Sequence, residues 1–185
     1  SNLDPDLIEY QILNAKAAGI DGFFIEWGFV PHENDNLLKA MQPIAAKYGF
    51  EIGVNWCDGW LYYDWITKIY PDIKTRTDKT KYMEKCFKYL ADNAFTGKTA
   101  PVVNGRPVFY HFGGGATPEE FTQVLNANKD FVEKTNPVML RRWADWGKLE
   151  NDIYKPVTYS QKMEEWKKLG EVPRARLPAR VRERN

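Results

Sequence analysis

Short apolar runs alternate along this chain with longer stretches in which apolar residues recur every three or four positions. The apolar runs are rich in large side chains and bounded by glycine, proline or polar residues, as is typical of buried strands. They cover residues 19–28, 50–57, 107–112 and 137–143. The amphipathic stretches have the spacing of helices with one buried face. They cover residues 5–18, 34–48, 79–93, 117–134 and 159–169.

Residues at the ends of these stretches support the prediction of helices. Asp4 precedes Pro5, and Thr117 precedes Pro118, so both sites combine an N-cap side chain with proline in the first turn. Gly19 ends the first helix. The order is a helix followed by four strand and helix units, which predicts a parallel sheet with right-handed crossovers. This α/β pattern suits either an open doubly wound sheet or part of an eight-stranded barrel.

Strand parity predicts which side chains face a binding site. Side chains alternate between the two faces of a strand, so Phe24 and Glu26 share a face in the first strand, as Gly53 and Asn55 do in the second. The opposite faces are apolar, as packing against helices requires. Because an unpaired charge is costly to bury, Glu26 is expected to face a cleft at the C-terminal end of the sheet, where barrel enzymes keep their active sites. The alternative is a structural acid paired with an arginine or a backbone amide.

Aromatic and acidic residues follow the second strand and are expected to line the rim of this cleft. Asp58, Trp60, Tyr63 and Asp64 lie in one loop. The combination suits a sugar, because its apolar ring face stacks on aromatic planes while carboxylates accept hydroxyl hydrogen bonds. A loop that packs on itself is the alternative. Glycoside hydrolysis usually needs two carboxyl groups, and Glu26 and Asp58 are the predicted catalytic pair.

Further candidates end the third and fourth strands. One of Tyr110 and His111 must point inward, and His111 is either an acid or base near neutral pH or a hydrogen-bonded wall residue. An arginine after the fourth strand either orients Glu26 or Asp58, binds an anionic sugar or forms a plain ion pair. The predicted substrate-binding residues are Trp27, Asn55, Trp56, Trp60, Tyr63, Tyr110, His111, Arg142, Trp143 and Asp145.

Composition narrows the classes of function. Lys and Arg number 26 against 25 Asp and Glu, so no overall field favours nucleic acid or an acidic membrane surface. No apolar run approaches the ~20 residues of a membrane helix. The chain has two histidines without a zinc-binding spacing, and the three glycines at 113–115 lack the spacing of nucleotide motifs, so neither a metal nor a cofactor is predicted. Two cysteines, Cys57 and Cys86, allow one disulfide at most. The aromatic fraction of 15% favours a ligand with flat apolar faces.

The C-terminal residues differ from the rest of the chain in charge. Five arginines fall within residues 174–184, opposed by one glutamate. Such a run is typical of a solvated, disordered tail. We therefore expect one barrel-type domain over residues 1–172 and a basic tail over residues 173–185.

Four segments of the sequence resemble glycoside hydrolases of family 99, the endo-alpha-mannosidases, and also family 71. They are AAGIDGFFIEW, VNWCDGW, YMEKCFKYLADN and NGRPVFYHFGG, and the resemblance covers residues 7–114. It implies a (β/α)8 TIM barrel that acts on a glycan, and favours a periplasmic or extracellular location. A complete barrel has about 250 residues, so the four strands are expected to be either its amino-terminal part or a shortened relative of the barrel. The family's catalytic acids lie in the later half, so no residue here inherits that role.

Three hypotheses follow. In the first, the chain is a glycoside hydrolase that binds and hydrolyses a mannoside-type oligosaccharide or polysaccharide at the C-terminal rim. Alternatively, it is a non-catalytic glycan-binding module on the same scaffold. A third hypothesis is a half-barrel that self-associates, because open sheet edges need cover.

Overall fold

Strands and helices alternate along the part of the chain that the structure, a computed structural model, describes: residues 2–141, 147–150 and 153–156. The strands are β1 (Gly22–Trp27), β2 (Glu51–Trp56), β3 (Val102–Val103), β4 (Arg106–His111), β5 (Val138–Arg141), β6 (Gly147–Glu150) and β7 (Ile153–Pro156). The helices are α1 (Pro5–Ala17), α2 (Glu33–Lys47), α3 (Ile66–Ile69), α4 (Arg76–Asn93), α5 (Pro118–Ala127) and α6 (Lys129–Thr135), with a 3-10 helix at Asp58–Tyr62.

Four parallel strands form the central sheet, in the order β1-β2-β4-β5. β3 pairs antiparallel with β4 through a turn at Asn104 and Gly105, whose φ angles are 53° and 74°. Consecutive parallel neighbours joined by helices are the arrangement of part of a TIM barrel. The predicted α/β fold of partial TIM-barrel type is therefore confirmed. An antiparallel hairpin of β6 and β7 lies next to α5.

Helix ends follow the capping signals, including two that the sequence analysis missed. The Asp4 side chain accepts a hydrogen bond from the Asp6 amide at 3.0 Å, as predicted for the start of α1. α4 begins three residues earlier than predicted, because Thr75 and Asp78 form a capping box. The predicted helix 117–134 is divided at Asn128, whose side-chain amide donates to the carbonyls of Val124 and Glu84. A side chain that binds backbone carbonyls in this way competes with the helix ladder.

The helices cover one face of the sheet. Trp27, Trp56 and Phe109 point from neighbouring strands into a core that includes Phe87 of α4 and Phe121 of α5. The rings contact one another closely, with centroids 5.9 Å apart for Trp56 and Phe109 and 5.6 Å apart for Phe87 and Phe109. Each fully buried aromatic side chain contributes roughly 2–3 kcal/mol of hydrophobic stabilisation. On the opposite face, Phe24, Glu26 and Leu140 are exposed within the described part of the chain.

Other sequence-based expectations meet the structure as follows. None of the helices within the described residues is long and apolar enough to cross a membrane. Cys57 and Cys86 are both buried free thiols, so the disulfide that the sequence allows is not formed. The predicted helix at 159–169 and the predicted domain boundary after residue 172 lie outside the described residues.

Candidate functional site

A row of side chains crosses the open face of the sheet near the C-terminal ends of the strands. Glu26 on β1 is aligned with Asn55 on β2, Asn55 with Tyr110 on β4, and Tyr110 with Leu140 on β5. Each of the four is the penultimate residue of its strand. Because neighbouring strands lie about 4.8 Å apart, the row spans about 14 Å. The structure thus brings three of the predicted site residues, Glu26, Asn55 and Tyr110, into one line.

The rings of Phe24 and Tyr110 form an aromatic floor on this face, with Phe24 one pleat below the row. The ring of Phe24 meets that of Tyr110 edge to face, with centroids 6.0 Å apart and an interplanar angle of 88°. Phe24 spans β2 because Gly53, between the two rings, has no side chain; a Cβ there would lie 2.6 Å from Phe24 Cε1. Strand parity places Phe24 and Gly53 on this face, although neither is among the predicted site residues. The same parity would also have identified Cys57 and the exposed Phe112.

Glu26 is exposed and carries a single side-chain hydrogen bond to a described residue. The thiol of Cys57 donates to Glu26 Oε1, with a sulfur to oxygen distance of 3.4 Å. The backbone carbonyl of Glu26 accepts from the Asn34 side chain at 2.6 Å, which fixes the end of β1. Among the described residues, no lysine or arginine forms an ion pair with Glu26. The arrangement leaves Oε2 available to a ligand.

Asn55 offers a second hydrogen-bond acceptor beside Glu26. Its side-chain oxygen Oδ1 is buried and accepts no hydrogen bond from the part of the chain that the structure describes. A buried polar atom without a partner is costly, so such an atom normally binds water or a ligand. The centre of the row therefore combines the exposed carboxylate of Glu26 with a buried amide oxygen that no described residue binds.

Asp58 occupies a different place from the one predicted. It is 0% exposed. Its Oδ2 accepts from the Ala116 amide at 2.7 Å, and its Oδ1 lies 3.4 Å from His111 Nε2. Burial raises the pKa of the Asp58 carboxyl, but the close contact with His111 and hydrogen bonds from the amides of Ala116 and Gly115 outweigh burial and hold this pKa below its ordinary value. The carboxylate joins three segments of the fold, and a substrate cannot contact it in this arrangement.

His111 shares this buried position. It points from β4 toward the helices and stacks on Phe121, with ring centroids 4.2 Å apart and planes 9° from parallel. Of the two candidates at the end of β4, Tyr110 faces the open side. His111 therefore fits the alternative of a wall residue that the sequence analysis had left open.

Trp27 and Trp56, predicted to bind substrate, are core residues. Both are 0% exposed on the helix side of the sheet. The Trp27 indole donates to Asp35 Oδ1 at 3.4 Å, and the Trp56 indole donates to the Gly28 carbonyl at 2.8 Å. Strand parity already places them opposite Glu26 and Asn55, so their inclusion among the substrate-binding residues is corrected.

The aromatic loop after β2 is partly packed and partly exposed. Trp60 lies against Gly28 and against the ring of His32, with centroids 5.4 Å apart. Tyr63 is 56% exposed, and Asp64 beside it is exposed as well. Tyr63 and Asp64 therefore remain accessible at the rim, whereas Trp60 is held by the loop that follows β1.

Three predicted site residues, Arg142, Trp143 and Asp145, lie outside the described residues. Within the described ranges, no group of three or more His, Cys, Asp or Glu side chains could hold a metal ion.

Comparison with known proteins extends the description of the fold. A solved structure described as the GH99 endo-alpha-mannosidase from Bacteriodes thetaiotaomicron in complex with BIS-TRIS-Propane is similar to this chain, with a TM-score of 0.52 and 15% sequence identity. The similarity covers 76% of this chain and 40% of that chain, so the chain spans two fifths of the enzyme's length. At this identity the likeness concerns the fold alone. No family model and no curated protein match the sequence. The chain thus bears a distant structural resemblance to a family 99 glycoside hydrolase.

Proposed function

We propose that the protein binds a glycan on the open face of the sheet and hydrolyses a mannoside-type O-glycosidic bond there. The row of Glu26, Asn55 and Tyr110 carries this proposal. Glu26, aligned with Asn55, provides oxygen acceptors for sugar hydroxyl groups, and the rings of Tyr110 and Phe24 provide apolar planes for the CH face of a sugar. The structural likeness to an endo-alpha-mannosidase supports the choice of mannosides as first ligands.

Hydrolysis requires a second carboxyl group besides Glu26. Glycosidases use two carboxyl groups, about 5 Å apart for retention of configuration and wider for inversion. The buried Asp58 does not suit this role. In our proposal the second carboxyl group comes from the rim, where Asp64 is exposed, or from residues outside the described ranges, where Asp145 follows β5 in the sequence.

A non-catalytic glycan-binding module is the second candidate. It is favoured by one observation: Glu26 is the only acid in the row formed with Asn55, Tyr110 and Leu140. A single carboxylate is sufficient to bind hydroxyl groups.

The variant Glu26→Gln separates these functions, with Glu133→Gln as the matched control because Glu133 is exposed on α6. Binding of alpha-linked mannooligosaccharides is measured by calorimetry, and hydrolysis by the release of reducing ends. Loss of a catalytic carboxylate should reduce turnover by roughly 100-fold or more, while the glycan still binds. Binding without turnover by the wild-type protein supports the module. Absence of binding to a panel of mannosides overturns the proposal.

A further inference from the structure

Cys57 lies where its side chain can control the candidate carboxylate. The Cys57 amide donates to the Trp27 carbonyl at 2.7 Å, which continues the parallel pairing of β2 with β1 beyond the end of β2. Its own carbonyl accepts from the Trp60 amide at 3.2 Å. Backbone hydrogen bonds on both sides fix the Cα position, so the thiol has a defined place beside Glu26.

The thiol is placed to act as a hydrogen-bond donor. Cys57 is 3% exposed, so water competes poorly for its S–H group. Burial first, and then the hydrogen bond and charge of Glu26, raise the pKa of the Cys57 thiol to about 12. The thiol therefore keeps its proton at neutral pH and donates to Glu26 Oε1.

A second observation at the same place indicates a ligand. Asn55 precedes Cys57 by two residues and is aligned with Glu26 across the β1 and β2 pair. Its buried Oδ1 has no donor among the described residues. The thiol uses one acceptor site of Glu26 Oε1, whereas Glu26 Oε2 and Asn55 Oδ1 accept no hydrogen bond from the described residues.

We propose that Cys57 is a positioning residue, whose thiol holds the Glu26 carboxylate so that Oε2 receives hydroxyl hydrogen bonds from a sugar bound beside Asn55. The inference rests on the proposed glycan site. One part of the inference, the contact between the thiol and Glu26, can be tested without any glycan.

Infrared spectroscopy of the S–H stretching vibration tests the contact. A hydrogen bond lowers the frequency of this band, which lies apart from other protein bands. The variant Cys57→Ala identifies the Cys57 band by its loss, and Cys86, buried on α4, provides an internal reference. We expect Glu26→Ala to move the Cys57 band to higher frequency and to leave the Cys86 band in place. An unmoved Cys57 band overturns the proposal.

Mannooligosaccharide binding tests the positioning. Loss of one weak hydrogen bond in Cys57→Ala should lower affinity by about two- to tenfold, whereas Cys57→Ser keeps a donor and should stay within about twofold of the wild type. Thermal unfolding of both variants checks that the fold is retained. Equal affinity of Cys57→Ala and the wild type overturns the positioning role even if the band moves. If Glu26→Ala moves the band but the wild-type protein binds no glycan, the proposed function and the positioning role are both overturned, while the contact itself stands.

Discussion

Asp58 shows how one buried carboxylate holds several segments together. It accepts hydrogen bonds from the turn before α5 and lies against His111 of β4, while its own backbone begins the 3-10 helix. We expect Asp58→Asn to lower the free energy of unfolding by about 1–3 kcal/mol at neutral pH, because the charged partner of these donors is lost. Chemical denaturation measures the difference, and the exposed Asp72→Asn serves as the control.

The pH dependence of the free energy of unfolding provides a second test of the role of Asp58. Because the folded state lowers the pKa of this carboxyl, its stabilisation is present above the unfolded pKa of about 3.9 and is lost as the pH falls through the lower folded value. Unfolding free energies of the wild type should therefore decrease below about pH 5 more steeply than those of Asp58→Asn. If the unfolding free energies of the two proteins decreased equally with falling pH, Asp58 would not contribute to stability in this way.

Gly53 is required by the aromatic floor of the open face. A Cβ at this position would lie 2.6 Å from Phe24 Cε1 and 2.9 Å from Pro101 Cγ. We expect Gly53→Ala to destabilise the fold by about 1–3 kcal/mol, as overpacking does. The control is Gly59→Ala, where the nearest atom would lie at 3.4 Å. In a Phe24→Ala background, Gly53→Ala should destabilise the protein less, because the ring that the added Cβ meets is absent. Thermal unfolding measures the loss in both backgrounds, and an equal loss in the two would contradict the assigned contact.

At the scale of elements, an ion pair joins the first turns of α4 and α5. The guanidinium of Arg76 donates from Nε and Nη2 to the two oxygens of Glu120, at 2.7 and 2.6 Å. It also donates to the Gly115 carbonyl at 3.1 Å and lies 4.7 Å from the ring centre of Tyr62. These contacts tie the 3-10 helix and the glycine turn to the two helices that support the rim.

A double-mutant cycle on this pair measures how firmly the two helices are joined. For Arg76→Ala with Glu120→Ala we expect a coupling of about 1 kcal/mol, because a bidentate pair is stronger than a single contact. The pair Lys88 and Asp92, exposed within α4 at 3.3 Å, is the control, with an expected coupling of about 0.3–0.5 kcal/mol. High salt should reduce both. Equal coupling energies in the two cycles would show that the ion pair between helices stabilises the fold no more than an exposed pair within one helix.

At the scale of the whole molecule, β1 is an edge strand of the described sheet, and the outer side of α1 is apolar. Leu7, Tyr10 and Leu13 are all exposed on this helix. Apolar patches beside unpaired strand edges favour association. Self-association thus stays a prediction, and these residues mark its expected place.

Sedimentation at micromolar concentration tests this prediction. We expect the wild-type protein to associate, and the combination of Leu7→Lys and Tyr10→Lys to shift it toward the monomer by removing apolar contacts. Asn36→Lys, on the exposed side of α2, adds a charge elsewhere and should leave association unchanged. A wild-type protein that sediments only as a monomer would contradict the prediction.

The sequence by itself determined the order of the four parallel strands and the helices between them, and the face on which Glu26 and Asn55 lie. Helical spacing, caps and strand parity are local properties of the chain, so neighbouring residues are sufficient to reveal them. Parity also separates Trp27 and Trp56 from the ligand side when it is applied consistently.

Only the tertiary structure decided which candidates meet and which are buried. Glu26 near the end of β1 and Asp58 just after β2 look equivalent in the sequence. However, the turn before α5, more than fifty residues away, provides the amide that binds Asp58 in the interior. The alignment of Tyr110 with Asn55 and the contact of Cys57 with Glu26 likewise depend on strand register and on side chains from different segments. Such long-range contacts leave no periodic signal in the sequence, because they are set by packing and not by the spacing of residues along the chain.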